Sequence, residues 1–275
     1  MTGIAAGREL AKRLEAIEAS VSERCVEAVL SARPDSGAEA RPLAGGLAFF
    51  FGPMSPLSQA VGVGMQGPVS EEEFDGLEAF FLARQSPVAI SLCPYAHPAV
   101  LERMGSRRYR ATQFEHTLVR ELGGGSAAFP ALAESPARPA VLAQAGLWSR
   151  TVMEGFQEGA PAIEGMEDLF AIMFAAPGAT GYLAWQDGRP AGGAAISIRA
   201  GDAAMFYGDS TLPEFRRRGL QSALIAARLR QASAAGCQLA VACTGPGTVS
   251  QRNYERAGFR VAYTKVLLVR DGRTQ

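Results

Sequence analysis

The sequence predicts an α/β protein built from two tandem copies of one α/β unit. Apolar runs of strand length alternate with segments of helical periodicity along the 275 residues. The five residues 101–105, Leu-Glu-Arg-Met-Gly, are echoed by Tyr-Glu-Arg-Ala-Gly at 254–258. A strand and a Pro-containing loop precede each segment, and a basic, strand-like stretch follows it. We therefore predict an internal duplication.

The first copy opens with a long amphipathic helix, predicted over residues 4–30 because its apolar positions recur on one face. Ser70 followed by Glu73 is a capping box, which predicts the start of a second helix. A third, short helix is predicted over 98–104. Strands are predicted over residues 43–51, 60–65, 88–93 and 108–121.

A Gly-Gly-Gly-Ser run at 123–126 and the Ala- and Pro-rich stretch after it are typical of a linker. We expect domains at 1–125 and 138–275, joined by a linker at 126–137. In the second copy, Asp187-Gly188 and Gly201-Asp202 predict turns between strands. Gly236 predicts a left-handed helix end, and Thr248 with Gln251 predicts a further capping box. Helices are predicted over 147–157, 166–174, 220–235 and from 248 to Gly258, and strands over 181–186, 191–199, 203–207, 238–244 and 259–269.

Composition excludes several classes of function. Lys and Arg together number 27, as do Asp and Glu, and the zero net charge argues against a large nucleic-acid footprint. No apolar run reaches about 18 residues, and the charged N-terminus has no apolar signal core, so we expect no membrane span and a cytoplasmic protein. The four cysteines show no CxxC spacing and are expected to be buried free thiols. We also expect no metal site.

Residues 216–221, Arg-Arg-Arg-Gly-Leu-Gln, lie between a strand-like run and a helix-like run. The first amides of a helix have no intrahelical acceptor, and the helix dipole favours an anion there. Gly219 lets the backbone approach a ligand closely, because it has no Cβ. The segment therefore predicts a phosphate site, with a solvated basic turn as the alternative.

Two segments resemble GNAT-type N-acetyltransferases, and the resemblance covers roughly residues 140–269. Arg216 and Gly219 match the pyrophosphate loop of that family, whereas Gln221 stands where a small residue is expected. Tyr254 followed by Gly258 and Phe259 resembles the family's Tyr-x-x-x-Gly-Phe segment. The resemblance implies two tandem GNAT-like α/β domains, each with a mixed, mostly antiparallel central sheet flanked by helices. It also implies acetyl-CoA as the cofactor.

The resemblance further implies that the strand ending at residues 209–211 diverges from the strand at 238–244, and that pantetheine enters the gap. Backbone groups of Asp209, Ser210 and Thr211 would then bind the arm and polarise the acyl carbonyl. The expected pyrophosphate residues are Arg216, Arg217, Arg218, Gly219, Leu220, Gln221 and Ser222. Gly247 replaces an Asn that the family usually has, and Thr248 or Ser250 could supply its contacts.

In such enzymes the tyrosine often protonates the departing thiolate. A phenol with a pKa of about 10 is protonated at neutral pH, so Tyr254 could donate to a nascent thiolate. The alternative is a packed tyrosine with a satisfied hydroxyl. Asp209 and Glu214 are the candidate bases for the amine, and either could instead be a turn or cap residue.

The two copies are not equivalent. The helix of the first copy begins with Glu71, Glu72 and Glu73, which would repel a pyrophosphate. Leu101 stands where the second copy has Tyr254, and it carries no exchangeable proton. We therefore expect the first domain to be a degenerate, structural or substrate-shaping copy without its own cofactor.

The resulting hypothesis is a cytoplasmic acetyl-CoA-dependent N-acetyltransferase that transfers an acetyl group directly to an amine. The acceptor would be a small molecule or a peptide; neither its identity nor the oligomeric state follows from the sequence. One alternative is a non-catalytic acyl-CoA-binding sensor or assembly module. Another is transfer from a different acyl donor or to a different acceptor, for which Met205, Phe206 and Leu212 could line a larger acyl pocket or could simply be core.

Overall fold

A computed structural model of the protein describes residues 7–53, 55–123, 135–157, 163–199 and 201–271. The chain divides into two compact units. Unit 1 comprises Met1–Thr117 together with Ala262–Gln275, and unit 2 comprises Leu118–Val261. The expected linker falls mostly on residues 126–134, which lie outside the described part. The domain boundaries expected from the sequence stay a prediction.

Unit 1 contains a mixed sheet and three helices. Its elements are α1 (Arg8–Ala32), β1 (Glu39–Leu43), β2 (Gly46–Phe50), β3 (Ala60–Val61), α2 (Glu71–Leu82), β4 (Val88–Leu92), α3 (Pro98–Ser106), the first part of β5 (Arg110–Glu121) and the last part of β11 (Arg260–Arg270). The strand order is β1-β2-β3-β4-β11. Neighbours are antiparallel except for β3 and β4, which are parallel.

The core of unit 1 is formed mainly by α2, α3 and the sheet. Phe74, Leu77 and Phe81 of α2 are buried against Val88 and Ile90 of β4. Burial of these side chains is the main source of stabilisation, at about 1.5–3 kcal/mol for each large apolar side chain. The predicted capping box begins α2: Ser70 Oγ accepts from the Glu73 amide, and the Glu73 carboxylate accepts from the Ser70 amide.

Unit 2 has a similar plan, with one more strand and one more helix. Its elements are the end of β5, β6 (Ala137–Pro139), α4 (Ala145–Gln157), α5 (Met166–Met173), β7 (Ala179–Gln186), β8 (Arg189–Arg199), β9 (Ala203–Thr211), α6 (Leu220–Ala234), β10 (Leu239–Thr244), α7 (Val249–Arg256) and the start of β11. The strand order is β10-β9-β8-β7-β6, and only the β9–β10 pair among these is parallel.

Helices cover both faces of the unit 2 sheet. On one face, Trp148 and Val152 of α4 pack against Leu183 and Ala195. On the other, residues of α6 join a larger cluster that includes Ala194 and Ile196 of β8 and Tyr254 of α7. The side chains of adjacent β8 residues thus point to opposite faces of the sheet, as strand geometry requires. The predicted α/β architecture with mixed sheets flanked by helices is confirmed.

Two of the predicted strands were wrong in extent. Residues 43–51 are not one strand, because Ala44 (φ 53°) and Gly45 (φ 72°) form a tight turn between β1 and β2. The strand at 60–65 stops after Val61, because Gly62 (φ 69°) and Gly64 (φ 70°) leave the extended conformation. None of the helices in the described ranges is both long and apolar enough to cross a membrane.

Candidate active site

The strands β9 and β10 separate partway along their length. They pair in parallel only from Ala203–Leu239 to Phe206–Ala242. β9 continues to Thr211 and β10 to Thr244. The divergence predicted from the sequence is therefore present, and a gap opens between the carboxyl ends of two adjacent parallel strands. Such gaps are a common place for ligands in α/β sheets.

A β-bulge bends β9 at the start of this gap. Gly193 pairs with Ser210 and Ala195 with Tyr207, so one residue of β8 opposes two residues of β9. One of those two is Gly208, whose φ of 69° is accessible at little cost only to glycine. The bulge changes the course of β9 towards Thr211, as bulges at functional edges often do.

The basic loop forms an open turn at the N-terminus of α6. Arg217 (φ 63°) and Gly219 (φ 77°) both have left-handed backbone conformations, and α6 begins at Leu220. The first intrahelical bond of this turn runs from the Ala223 amide to the Gly219 carbonyl (3.0 Å), which leaves the amides of 220–222 available to a ligand. A Cβ at Gly219 would meet no atom within 4 Å, so the space before the helix is open.

The three arginines of the loop have different surroundings. Arg216 braces the loop, because its Nε donates to the Thr211 carbonyl (3.1 Å) and its Nη2 to the Gly155 carbonyl (3.2 Å). Arg218 lies over the Phe215 ring, 5.6 Å from its centroid, with Asp187 3.7 Å away. Arg217 is exposed.

Gln221, which departs from the family pattern, connects α6 to α7. Its Nε2 donates to Ser250 Oγ (2.9 Å), and its Oε1 accepts from Asn253 Nδ2 (2.7 Å). Thr248 caps α7 by accepting from the Gln251 amide (3.1 Å) and donates to the Gly245 carbonyl (2.8 Å). Gln251 Oε1 accepts from Gly247, not from Thr248, so the predicted capping box is only half formed.

Tyr254 and Asp209, both predicted from the sequence, lie together in unit 2. Tyr254 Oη donates to Asp209 Oδ2 at 2.8 Å. A residue that the sequence did not predict, Arg228 of α6, completes the group: its Nη1 donates to Asp209 Oδ2 (2.9 Å) and its Nη2 to Asp209 Oδ1 and Tyr254 Oη (3.4 Å to the latter). Arg228 and Tyr254 are essentially inaccessible to solvent, at 0% and 1%.

Burial determines the protonation of this triad, Asp209–Arg228–Tyr254. It raises the pKa of Tyr254 well above its ordinary value; Arg228 opposes this, and Asp209 adds to it. Burial by itself lowers the pKa of Arg228, but Asp209 and then Tyr254 more than compensate, so that pKa is raised. At neutral pH Tyr254 is therefore a neutral donor and Arg228 a cation. Each charge has its partner, which buried charges require.

Glu214 is not brought to the triad. It lies in the short helical turn Pro213–Phe215, its side chain is 56% exposed, and its described ion-pair partner is Arg189 at 4.0 Å. The apolar candidates Met205, Phe206 and Leu212 are buried. The Phe206 ring packs against Tyr254 and Phe259, which makes it part of the core.

The matching region of unit 1 is built differently. Beyond the short β3–β4 pairing, the His97 amide donates to the Gly64 carbonyl (3.0 Å), and a Cβ on Gly64 would lie 2.5 Å from Val100. Glu71 at the start of α2 pairs with two arginines of α3 and its C-cap, Arg103 and Arg107. Leu101, at the position of Tyr254, is 57% exposed. In unit 1 the residues after the parallel strand pair are therefore joined by a hydrogen bond, and the start of the following helix is acidic and paired with arginines.

Metal ligation finds no support in the part of the chain that the structure describes, where no group of three or more His, Cys, Asp or Glu side chains could hold an ion.

Comparison with known proteins agrees with this geometry. Residues 149–259 match the sequence profile described as the Acetyltransferase (GNAT) family. A GCN5-related N-acetyltransferase from Kribbella flavida is similar in fold: it is 18% identical, with a TM-score of 0.61 over 90% of this chain and 95% of its own. A tandem GNAT protein from the clavulanic acid biosynthesis pathway is 12% identical, with a TM-score of 0.55 over 93% and 96%.

A functionally unknown conserved protein from Staphylococcus epidermidis is 11% identical, with a TM-score of 0.60 over 88% of this chain and 97% of its own. At these identities the likeness concerns the fold. No curated protein matches the sequence.

Proposed function

Because the chain carries a domain of the acetyltransferase (GNAT) family at residues 149–259, we propose that unit 2 is an acetyl-CoA-dependent N-acetyltransferase. It would transfer the acetyl group directly to the amine of a small molecule or peptide. The observation that carries the proposal is the combination of the β9–β10 gap with the open, basic N-terminus of α6 beside it.

The residues present fit acetyl-CoA. The amides of 217–222, with the exposed Arg217 side chain, would hold the pyrophosphate, because unpaired amides and the helix dipole both favour an anion. The absence of any atom within 4 Å of a Cβ at Gly219 leaves the room that a phosphate needs. Backbone groups of Asp209, Ser210 and Thr211 would bind the pantetheine arm along the part of β9 that extends beyond its pairing with β10.

When bound, acetyl-CoA would supply a thioester-activated acetyl group. The backbone of residues 209–211 would orient the acyl carbonyl and polarise it. Tyr254 holds a proton at Oη, and Asp209 with Arg228 fixes the position of that hydroxyl. Tyr254 is thus the proposed proton donor to the leaving thiolate, once its hydrogen is released from Asp209.

The same contacts bear on the choice of base. Both carboxylate oxygens of Asp209 already accept from Arg228, and one accepts from Tyr254 as well. Taking a proton from the amine would break this pairing, so we assign Asp209 to positioning Tyr254. Proton removal from the acceptor is then left to Glu214 or to water.

Two glycines at opposite ends of α6 provide the test. Gly219 (φ 77°) and Gly236 (φ 71°) share a left-handed conformation and open surroundings. Changing either to alanine costs similar backbone strain, about 1–2 kcal/mol. We expect calorimetry to show micromolar acetyl-CoA binding by the wild type and by Gly236→Ala, but at least about tenfold weaker binding by Gly219→Ala and by Arg217→Glu. Equal binding by all four proteins would place the cofactor elsewhere, and no binding by the wild type would overturn the proposal.

One observation favours a second candidate, an acyl-CoA-binding module without turnover: the Tyr254 hydroxyl has a complete structural role in the buried triad. Tyr254→Phe separates the two. If Tyr254 is the acid, kcat on a responsive amine falls about 10²-fold or more while acetyl-CoA affinity is kept. If the wild type binds acetyl-CoA but acetylates no amine in a broad panel, the binding-module function is favoured.

A further inference from the structure

A groove on unit 2 lies at the far end of α6 from the basic loop. It is bounded by the edge strand β6, by β7 and by the C-terminal half of α6, and its volume is about 360 Å³. Its lining residues are Ala137, Pro139, Tyr182, Ala227, Arg230, Gln231 and Ala234. Arg230 is ten residues beyond Leu220, which is about 15 Å along a helix axis. The groove is therefore separate from the proposed acyl-CoA site.

Arg230, which is partly exposed, brings one guanidinium nitrogen without an acceptor to this groove. Its Nη1 atom is buried and has no hydrogen-bond partner. Among the residues that the structure describes, the other buried side-chain nitrogen without a partner is Arg103 Nε, and that arginine still pairs with Glu71 through Nη1. A buried cationic donor without an acceptor is costly, and a guanidinium is well suited to bind a carboxylate.

The polar neighbours of Arg230 are already committed to one another. Tyr182 Oη donates to Gln231 Oε1 (2.8 Å), and Gln231 Nε2 donates to Thr180 Oγ1 (3.0 Å). These bonds fix the groove wall and leave Arg230 Nη1 as the buried donor without an acceptor. Arg230 also interacts electrostatically with Tyr182 of the groove wall. Burial raises the pKa of Tyr182, and the charges of Arg228 and Arg230 counteract that rise.

The remainder of the lining is small and apolar, from Ala137, Pro139, Ala227 and Ala234. We propose that this groove binds a small organic carboxylate, with its carboxylate on Arg230 and its apolar body against these alanines and the proline. A single guanidinium and an apolar wall suit a monoanion with a hydrocarbon part better than inorganic phosphate. The volume is at the lower end of the range for small-molecule sites, which limits the ligand to a small one.

Fluorine NMR with para-fluorobenzoate as the probe tests this on the full chain. We expect saturable binding by the wild type. Arg230→Gln should weaken it by about tenfold or more, whereas Arg256→Gln, which removes the same charge from an exposed position of α7, should not change it. The neutral methyl ester of the probe and inorganic phosphate should both bind at least about tenfold more weakly than the probe itself.

A second variant tests the location without changing charge. Ala234 is exposed at the end of α6, so Ala234→Phe should fold normally, fill the groove and abolish probe binding. The proposal is overturned if the probe shows no saturation at millimolar concentration, if Arg230→Gln or Ala234→Phe binds like the wild type, or if the ester or phosphate binds as well as the probe. Acetyl-CoA binding by Arg230→Gln should equal that of the wild type, which keeps this result independent of the proposed function.

Discussion

The guanidinium of Arg228 is surrounded by five oxygen acceptors and one aromatic ring. The acceptors are the carbonyls of Leu224 and Ala195, both oxygens of Asp209 and the hydroxyl of Tyr254. The Phe206 ring centroid is 4.6 Å away. This one side chain therefore joins α6, β8, β9 and α7 inside unit 2, and it keeps an otherwise buried carboxylate paired.

Replacing Arg228 by methionine should destabilise the protein strongly. Asp209, whose side chain is 9% exposed, would keep its charge and lose its cation, which typically costs about 3–5 kcal/mol. Urea unfolding measures the loss. The matched control is Arg150→Met, because the Arg150 pair with Glu167 is half-exposed, and its removal should cost under about 1 kcal/mol. A similar small effect at both sites would show that the triad is not a stabilising unit.

The thiols should differ in reactivity because burial controls their ionisation. Burial raises the pKa of Cys25 and of Cys93 to about 12, so neither is a thiolate near neutral pH. Cys243 is partly exposed and follows Ala242, the last β10 residue paired with β9. We expect iodoacetamide to label Cys243 before Cys25 and Cys93, as read by mass spectrometry.

Acetyl-CoA should slow this labelling if the acyl donor enters the β9–β10 gap, whereas adenosine, which lacks the pantetheine arm, should not. Faster labelling of Cys25 or Cys93 than of Cys243 in the folded protein would contradict the burial argument.

Sequence reasoning named Tyr254 and Asp209 as candidates, and the structure brings them together, but it did not name Arg228. An arginine in a helix is normally exposed, and the surrounding Ala-Ala-Arg-Leu-Arg gives no sign that Arg228 is buried while Arg230 is only partly so. Burial of Arg228 depends on a tertiary partner, Asp209, that lies in a different element beside the β9 bulge. Gly208 alone is a weak signal for that bulge.

At the scale of elements, β11 is held to α1 by a buried polar cluster in unit 1. Lys265 Nζ lies 2.5 Å from Glu18 and 3.6 Å from Glu15, and Tyr263 Oη donates to Glu15 Oε1 (2.7 Å). The amide of Gly62 donates to the other oxygen of Glu15 (3.2 Å). Lys265 and Glu15 are almost fully buried, so this cluster orients the strand on the helix at a high desolvation cost.

Stability should depend on pH through Glu15. Burial raises the pKa of Glu15 above its ordinary 4.5, and Lys265 opposes the rise. Because the folded protein binds this proton more tightly than the unfolded protein, protonated Glu15 stabilises the folded state at pH values below the unfolded-state pKa. That stabilisation is lost as the pH rises through the folded-state pKa. Glu15→Gln removes this loss. The unfolding free energy of the variant minus that of the wild type should therefore increase from about pH 5 to about pH 8.

Urea unfolding at the two pH values measures this difference, and Glu23→Gln, at an exposed position of α1, is the control that should show no such trend. A difference between Glu15→Gln and wild type that is flat or falls with pH would contradict the raised pKa.

Most elements of both units were predictable, and the exceptions share a cause. Helix α2 begins at a capping box that is local in the sequence, and α6 lies between two glycines with positive φ, Gly219 and Gly236. The β1–β2 turn was missed because Ala44 adopts a positive φ that alanine rarely has, and Pro42 lies inside β1. Residues 137–139 were assigned partly to the linker, because a three-residue strand carries too little alternation to be recognised.

At the scale of the whole molecule, ionisation of the tyrosines shows whether the protein remains folded at alkaline pH. Burial is the main cause that raises the pKa of four of the six tyrosines: Tyr109, Tyr182, Tyr254 and Tyr263. Unfolded, these groups would ionise near pH 10. Their neutral forms stabilise the folded state fully below that pH, and this stabilisation is lost as pH rises above it.

We therefore expect phenolate absorbance to rise in two steps during an alkaline titration, with the second step coinciding with loss of the circular dichroism signal. Tyr109→Phe should reduce the amplitude of the second step but not of the first. A single step near pH 10 with unchanged circular dichroism would show that these hydroxyls are accessible in the folded protein.

The structure agrees with the predicted duplication at this scale, because the repeated segment at 101–105 and 254–258 falls on α3 and α7, each of which follows the second strand of a parallel pair. The asymmetry between the copies was visible as well, in the acidic start of α2 against the basic start of α6. The sequence did not show that β5 and β11 are each shared by the two units. Each has one continuous strand pattern across the boundary between the units.

That division has a consequence for biosynthesis. Unit 1 begins before unit 2 along the chain but also needs Ala262–Gln275, which the ribosome adds only after every residue of unit 2. During translation, the edge of β4 that pairs with β11 therefore stays without this partner until all of unit 2 has been made. Unit 2 can therefore be completed before unit 1, although unit 1 begins earlier in the sequence. Until then unit 1 presents an unpaired strand edge, which is the kind of surface that promotes aggregation.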